Sequence, residues 1–337
     1  SSDLYGLDAK YLLCNGPFHV SKWTEKTSVK LAKNNEYNGE SSVSPSSVTF
    51  YINNDDSEVA DKMNSVTYDV AFLSSAQFSS IENKKDLNSV AVQNVTYSFI
   101  FNQNDNNYRN KNMRLAFCRS CDTSSLFDSQ SDISKADGIV PPSCKIGGED
   151  YRNGNAAELL SYDETLAKKN FNDALLELGS SSVETTILCT EQYEPFVKQM
   201  VQKLQKTLGV KFVSTVKVVS ESDLEAAVND GNYSVAFYPF KAKSSFAGEI
   251  IEGFDQNNIF GYESDVLSQK IRNIKNNSGS LEGERSAVAD AENYLVSEAV
   301  IMPVFYENSY FVTSKKTSGI YFYSSADNVC FINAKKS

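Results

Sequence analysis

The chain has 337 residues, of which 41% are hydrophobic, enough for two domains with ordinary cores. A formal charge of −11 and a pI near 4.8 exclude the basic patch of a nucleic-acid surface, so no nucleic-acid partner is expected. No apolar run is long enough to span a bilayer, and six cysteines (Cys14, Cys118, Cys121, Cys144, Cys189, Cys330) are too sparse for a disulfide scaffold. One disulfide in an exported protein and free buried thiols both fit.

Asn15-Gly16-Pro17-Phe18 opens the chain's first recognisable element. Proline fixes its own φ and pushes the preceding residue out of the helical region, which predicts a turn. Phe18, Val20, Val29 and Leu31 then alternate with polar residues as in half-buried strands, and Lys33 to Gly39 closes the segment with an Asn/Gly reversal. Glu40 to Pro45 reads as a linker, and Val48 to Ile52 as a strand. Asp55-Asp56-Ser57 predicts a helix N-cap, since short side-chain oxygens accept from the first free N–H groups. Val59, Ala60 and Met63 give that helix an apolar face, and Tyr68 to Phe72 is the next strand.

Further along, Val95 to Asn102 is an alternating strand and Asn110 to Asp122 a helix. Val140-Pro141-Pro142 breaks regular structure. Tyr162 to Gly179 is a helix with a glycine stop. Residues 194–208 and 282–299 form two more amphipathic helices. Ile301 to Tyr306 is a strand with its proline near the start, where a missing N–H is tolerated.

One phrase occurs twice. Ser57 precedes Tyr68 by eleven residues and Ser222 precedes Tyr233 by eleven, each copy ending in Val-Ala-Phe (residues 70–72 and 235–237). A strand leads into each copy, the second being Val213 to Val219. Strand, capped helix and strand at this length predict a βαβ unit with parallel strands. Two copies 165 residues apart predict two similar α/β lobes.

The wording of these elements resembles the extracellular solute-binding proteins of peptide-type ABC importers, family 5, in their C-terminal portion. The resemblance rests on the Asn-Gly-Pro-Phe turn, Trp23 and Lys33-Asn34…Tyr37…Gly39. It continues through Phe101-Asn102, Met113-Arg114-Leu115-Ala116 with Asp122, and Tyr162-Asp163 with Ala167, Leu175, Leu176 and Gly179. Pro303 and Tyr306 complete it. It implies an α/β, type II periplasmic-binding-protein-like two-lobe fold, truncated so that the N-terminal part of lobe I is missing. The implied division is 1–110 for part of lobe I, 111–305 for lobe II, and 306–337 for the return to lobe I. The implied hinge runs through Asn102–Asn110 and Pro303–Glu307.

Chemistry-bearing motifs are few. Cys118-x-x-Cys121 lies near a helix end with its cysteines on one face, and the chain's single histidine, His19, has no nucleophile motif beside it. Cofactor, phosphate-loop and metalloprotease motifs are missing from the sequence. Asp55-Asp56 and Glu149-Asp150 read as caps or solvated turns. The chain is therefore expected not to be an enzyme and to need no cofactor or metal.

A binding protein needs a cleft with a few polar groups among aromatics. The segment Phe237 to Phe246 is the candidate. The resemblance places Pro239 and Phe240 at a Gly-Trp pair, and Lys243 where relatives carry the aspartate that receives a ligand's α-ammonium. That is a charge reversal, favouring a carboxylate or phosphate. Lys241 and Ser244 complete the segment, and Phe305 and Tyr306 are expected to line the cleft. The implied function is capture of a peptide or similar small solute by hinge closure, for delivery to an ABC permease in the membrane. The implied location is extracytoplasmic, as a cell-surface lipoprotein or in a periplasm, with the signal sequence outside these residues. The alternative is a surface receptor or scaffold on the same fold, serving signalling or adhesion without peptide transport.

Overall fold

Asn34 explains why the opening turn and the later Lys-Asn pair belong together. Its backbone N–H donates to Pro17 O at 3.0 Å, and its side-chain amide donates to Gly16 O at 2.9 Å. The Asn-Gly-Pro turn is thus pinned to the end of the strand that returns beside it. The computed structural model describes residues 8–39, 42–52, 56–123, 127, 132–256, 258–323 and 328–337. The chain forms two units, Ser1–Val92 with Asn308–Ser337 (unit 1) and Gln93–Glu307 (unit 2).

Unit 1 begins with the expected hairpin, β1 (Phe18–Thr24) antiparallel to β2 (Ser28–Lys33), extended by β3 (Ser47–Tyr51). His19 is an exposed residue of β1 opposite Ala32. Next come α1 (Asp56–Asn64), β4 (Val70–Ser74), α2 (Ser75–Ser80) and β5 (Leu87–Val92). Asp55 and the side chains of Asp56 and Ser57 lie outside the described residues, so the expected cap on α1 does too. A small core of Ala60, Met63, Ala71, Leu73, Ile81, Leu87 and Val312 sits under α1 and α2.

Unit 2 is built on β6 (Val95–Phe101), followed by α3 (Asn106–Arg109), α4 (Lys111–Ser120) and β7 (Ile133–Lys135). A short hairpin, β8 (Lys145–Ile146) and β9 (Glu149–Asp150), leads to α5 (Glu164–Leu178) and β10 (Val183–Cys189). Then come α6 (Glu194–Leu208), β11 (Phe212–Val218), α7 (Glu221–Asn229) and β12 (Val235–Lys241). The unit closes with α8 (Gly248–Glu252), α9 (Asp265–Asn276), α10 (Leu281–Ser297) and β13 (Ile301–Glu307). The chain then returns to unit 1 as β14 (Ser309–Ser314), which pairs between β4 and β5.

The unit 2 sheet has the order β11-β10-β12-β6-β13-β7. One face packs under α4, α5 and α6 through Phe99, Phe117, Phe171, Val197 and Phe237. The other packs under α7 to α10 through Ile100, Leu188, Ala236, Ile271 and Leu295. Local signals behave as their chemistry requires: Asp163 accepts from Leu166 N at the start of α5, and Gly179 ends that helix at φ 63°.

Two expectations need correction. The repeated phrase makes a parallel β-α-β arrangement only in its second copy, where β11 and β12 flank β10 in one sheet. In the first copy β3 joins β1 and β2 while β4 joins β14, so helix α1 connects two different sheets. Strand partners are chosen by distant residues, and a similar local phrase does not determine them. The first passage between units also comes earlier than expected. Residues 93–110 belong to unit 2, because β6 pairs with β12 on one side and β13 on the other. Asn102 lies well inside unit 2, its amide donating to Gly231 O and Tyr233 O at 2.8 and 2.7 Å.

Candidate ligand-binding site

Strands β10, β11 and β12 are parallel, and β13 runs the same way as β12 because both are antiparallel to β6. Four of the six strands therefore present their carboxyl ends together. In open α/β sheets ligands bind beyond such ends, where the following loops and helix starts converge. Both passages to unit 1 leave from this end, just before β6 and just after β13.

The most open element there is β12. It pairs with β6 along its whole length, from Val235↔Phe101 to Lys241↔Val95. Its ladder with β10 covers only Val235 and Ala236. From Phe237 to Lys241 the strand is laddered on one side only, leaving main-chain positions for an extended ligand to pair with. Pro239, opposite Tyr97, brings no N–H and is tolerated where the strand is half-paired.

Side chains along β12 alternate between the faces. Phe237 is buried with Tyr97, Phe99, Tyr193, Phe196 and Phe305 at centroid separations from 4.9 to 5.7 Å. Phe240 is half-buried on the other face against Phe254 and Phe260, at 5.7 and 5.8 Å. Its ring is anchored by core partners.

The loop after β12 is held by main-chain bonds. Ala242 N donates to Asn94 O at 3.0 Å, Lys145 N to Ser245 O at 2.6 Å, and Ala247 N to Lys145 O at 3.1 Å. Ser244 is engaged locally: its hydroxyl donates to Glu249 Oε2 at 2.6 Å and accepts from Phe246 N. Lys241 and Lys243 are exposed, and Lys243 has no hydrogen-bond or ion-pair partner among the described residues.

Phe305 and Tyr306 were expected on a cleft wall. Phe305 has no exposed surface and Tyr306 is 3% exposed. Phe305 fills the aromatic cluster, while the Tyr306 hydroxyl accepts from Asp137 N at 3.0 Å beneath α10. As neighbours in the strand, just past a bulge between Pro303 and Phe305, Phe305 and Tyr306 point to opposite faces.

Sequence reasoning overlooked a polar group at this end. The Tyr193 hydroxyl, just past β10, donates to Glu307 Oε1 at 2.8 Å. Tyr97 lies 4.3 Å from Tyr193 between ring centroids. Burial pushes the Glu307 carboxyl above its usual range, partly countered by the Tyr193 hydrogen bond and by Lys241. An acid ending an aromatic strand was the available signal, but its partner lies 114 residues away.

A second network supports the other face. Glu292 on α10 accepts from Ile139 N and Val140 N at 2.7 and 2.9 Å, from Tyr151 Oη at 3.0 Å, and from both Arg152 Nη atoms. Cys118 and Cys121 are buried thiols in the α4–α6 core, and all six cysteines are free. Among the described residues, His, Cys, Asp and Glu form no group of three or more able to hold a metal ion. No helix among them is long and apolar enough to cross a membrane.

A family model for bacterial extracellular solute-binding proteins, family 5 Middle, matches residues 2–260. The chain is 23% identical over 314 residues to the dipeptide-binding protein DppE of Bacillus subtilis, covering 91% of this chain and 57% of that protein. It therefore spans little over half the length of this curated relative. Its fold matches the substrate-binding domain of an oligopeptide ABC transporter from Bacillus anthracis, with a TM-score of 0.76 at 17% identity, covering 99% of this chain and 67% of that one. A peptide-binding pheromone receptor, PrgZ, matches with a TM-score of 0.74 at 17% identity and the same coverage.

Proposed function

This chain belongs to the bacterial extracellular solute-binding proteins of family 5, and we propose that it captures a peptide or similar small solute and delivers it to an ABC permease. On this reading the protein works outside the cytoplasm, by binding alone and without covalent chemistry. The carrying observation is the half-paired β12, whose residues Phe237–Lys241 offer main-chain positions at the carboxyl end of the sheet. The ligand lies along this edge, over Pro239 and Lys241. Phe240 and Ser244 hold the strand and loop in place, and Phe305 and Tyr306 support it from within the core. Unpartnered Lys243 supplies the charge for a ligand carboxylate.

Closure is proposed to swing about the two passages between units, Val92–Gln93 and Glu307–Asn308. A ligand that touches both units only when closed shifts the population towards that state.

The test is thermal unfolding of the chain against short peptides, sugars and metal ions. A ligand at 100 times its Kd adds about 2.7 kcal/mol. Peptides are expected to raise the midpoint, and K243E is expected to weaken those with a free carboxylate selectively. A chain unmoved by every peptide would defeat the transport reading. It would favour the second one, a surface receptor or scaffold for signalling or adhesion. The likeness to a pheromone receptor and the lysine at position 243 favour that alternative.

A further inference from the structure

We propose that Pro239 turns the open edge of β12 into a row of hydrogen-bond acceptors, so that the bound solute is held by its own N–H groups. The inference rests on the reading above and adds what the strand edge selects. It favours linear peptides with unsubstituted nitrogens over those carrying proline or N-alkyl residues.

The direction of each main-chain group on β12 follows from its ladder with β6. Ser234 O accepts from Asn102 N, and Ala242 N donates to Asn94 O, both at 3.0 Å. These two bonds bracket the strand, and the register between them runs unbroken from Val235↔Phe101 to Lys241↔Val95. In an antiparallel pair, alternate residues turn both N–H and C=O towards the partner strand. Ser234 and Ala242 do so, hence Ala236, Tyr238 and Phe240 do so as well. Val235, Phe237, Pro239 and Lys241 therefore turn their main-chain groups the other way, towards β10 and the open edge.

β10 engages this side only at its start. Its ladder ends at Leu188↔Ala236, so the last main-chain group within its reach is the Phe237 N–H. Past that point come Phe237 O and then Pro239 O, and among the described residues no hydrogen bond reaches either. Pro239 itself has no N–H. The edge thus shows two carbonyls about 6.8 Å apart, at about 3.4 Å per residue, with no donor between them.

An extended peptide laid beside a strand edge turns the N–H and C=O of every second residue towards it. Two such N–H groups can donate to Phe237 O and Pro239 O. The ligand carbonyl between them meets the proline ring, and an acceptor left without a donor weakens binding. Affinity then depends on ligand nitrogens that are free to donate. A proline or N-methyl residue at a facing position removes a donor that the edge cannot replace. Because Pro239 turns away from β6, a residue with an N–H fits there without disturbing the β6 ladder.

The experiment measures penta-alanine and its four singly N-methylated forms by calorimetry on the unsubstituted chain and on P239A. In the unsubstituted chain, N-methylation at two alternate nitrogens is expected to weaken binding at least tenfold. P239A restores a donor between the two carbonyls. It should bind penta-alanine at least about threefold more tightly, the effect of one modest hydrogen bond. P239G supplies the same N–H and takes its place should P239A fail to fold. Equal or weaker binding by the variant, or indifference to every N-methyl group, overturns the role of Pro239 while leaving peptide capture standing. Self-association of the variant in sedimentation, without tighter peptide binding, also overturns it and makes Pro239 a guard of the edge only. Failure of penta-alanine to bind the unsubstituted chain and the variant overturns the capture reading, and this inference with it.

Discussion

The Tyr193 hydroxyl donates to the Glu307 carboxylate at 2.8 Å, joining the segment that precedes α6 to the last residue before the chain leaves unit 2. The bond draws a partly buried acid onto the face of an aromatic cluster, where its charged form is disfavoured by lost hydration.

A pH dependence of stability follows. The Glu307 carboxyl is raised by burial, so above the unfolded-state pKa the folded chain holds its proton more firmly than the unfolded chain. The associated stabilisation is complete at acid pH, below the unfolded value, and is lost as pH climbs through the raised folded value. E307Q removes this contribution. Calorimetric midpoints at pH 4, 5.5 and 7 should therefore show E307Q gaining on the unsubstituted chain as pH rises, and a constant difference would refute it.

Arg114 closes several carbonyls at once. It donates to Tyr108 O at 2.7 Å, Arg109 O at 2.9 Å, Ala299 O at 3.0 Å and Glu298 O at 3.1 Å. Ala299, one of these acceptors, has the unusual φ of 49° for a residue with a Cβ. R114M should cost at least about 2 kcal/mol in urea unfolding, because buried acceptors lose their donors. R114K should recover part of this, since an ammonium lacks the planar fork that reaches both ends of the arrangement.

Arg152 and Glu292 make a buried pair whose side chains are 8% and 2% exposed. R152M leaves Glu292 charged and under-compensated, at a cost of about 3 to 5 kcal/mol. R152M/E292L should regain some of the lost stability by removing the stranded charge. The Ile139 and Val140 amides, which Glu292 accepts from, would limit the recovery. A double variant no more stable than R152M would show that those amides dominate.

Thiol labelling should separate the cysteines by burial. Cys118 and Cys144 are pushed up to about 12 and Cys189 to about 11, chiefly by desolvation, and Cys121 is raised as well. At pH 8 with an aromatic disulfide reagent, exposed Cys14 should react quickly. The four buried thiols should react only after unfolding. Rapid native labelling at Cys118 or Cys121 would instead point to a redox role for that pair.

Features governed by neighbours in sequence were legible in the sequence. The hairpin through Phe18 and Lys33 and the helix from Tyr162 with its stop at Gly179 each follow from local rules. The parallel arrangement around Ser222–Tyr233 agreed with the expectation, but the same phrase at Ser57–Tyr68 did not, because the partners of its strands are set by distant residues. Pairing across long separations was not legible: β6 alternates like many strands, and only its ladders to β12 and β13 place it in unit 2. At the site, the segment from Pro239 to Ser244 could be picked out by resemblance, but not the ending of its ladder at Ala236. Phe305 and Tyr306 read as cleft aromatics, because exposure of a strand residue depends on which helices cover it. Glu307 escaped notice because its meaning comes from Tyr193.

The return of β14 to unit 1 has a consequence for the order of folding. β4 and β5 bond to β14 on either side and not to each other. All of Gln93–Glu307 separates them from that central strand. On the ribosome, unit 2 is therefore fully synthesised while β4 and β5 still lack their shared neighbour. The later-made unit can acquire its core first, and the earlier-made one waits with unpaired strand edges. Closing so long a loop is slow compared with local pairing. The exposure of β4 and β5 in that interval makes them the part of the nascent chain most in need of protection from aggregation.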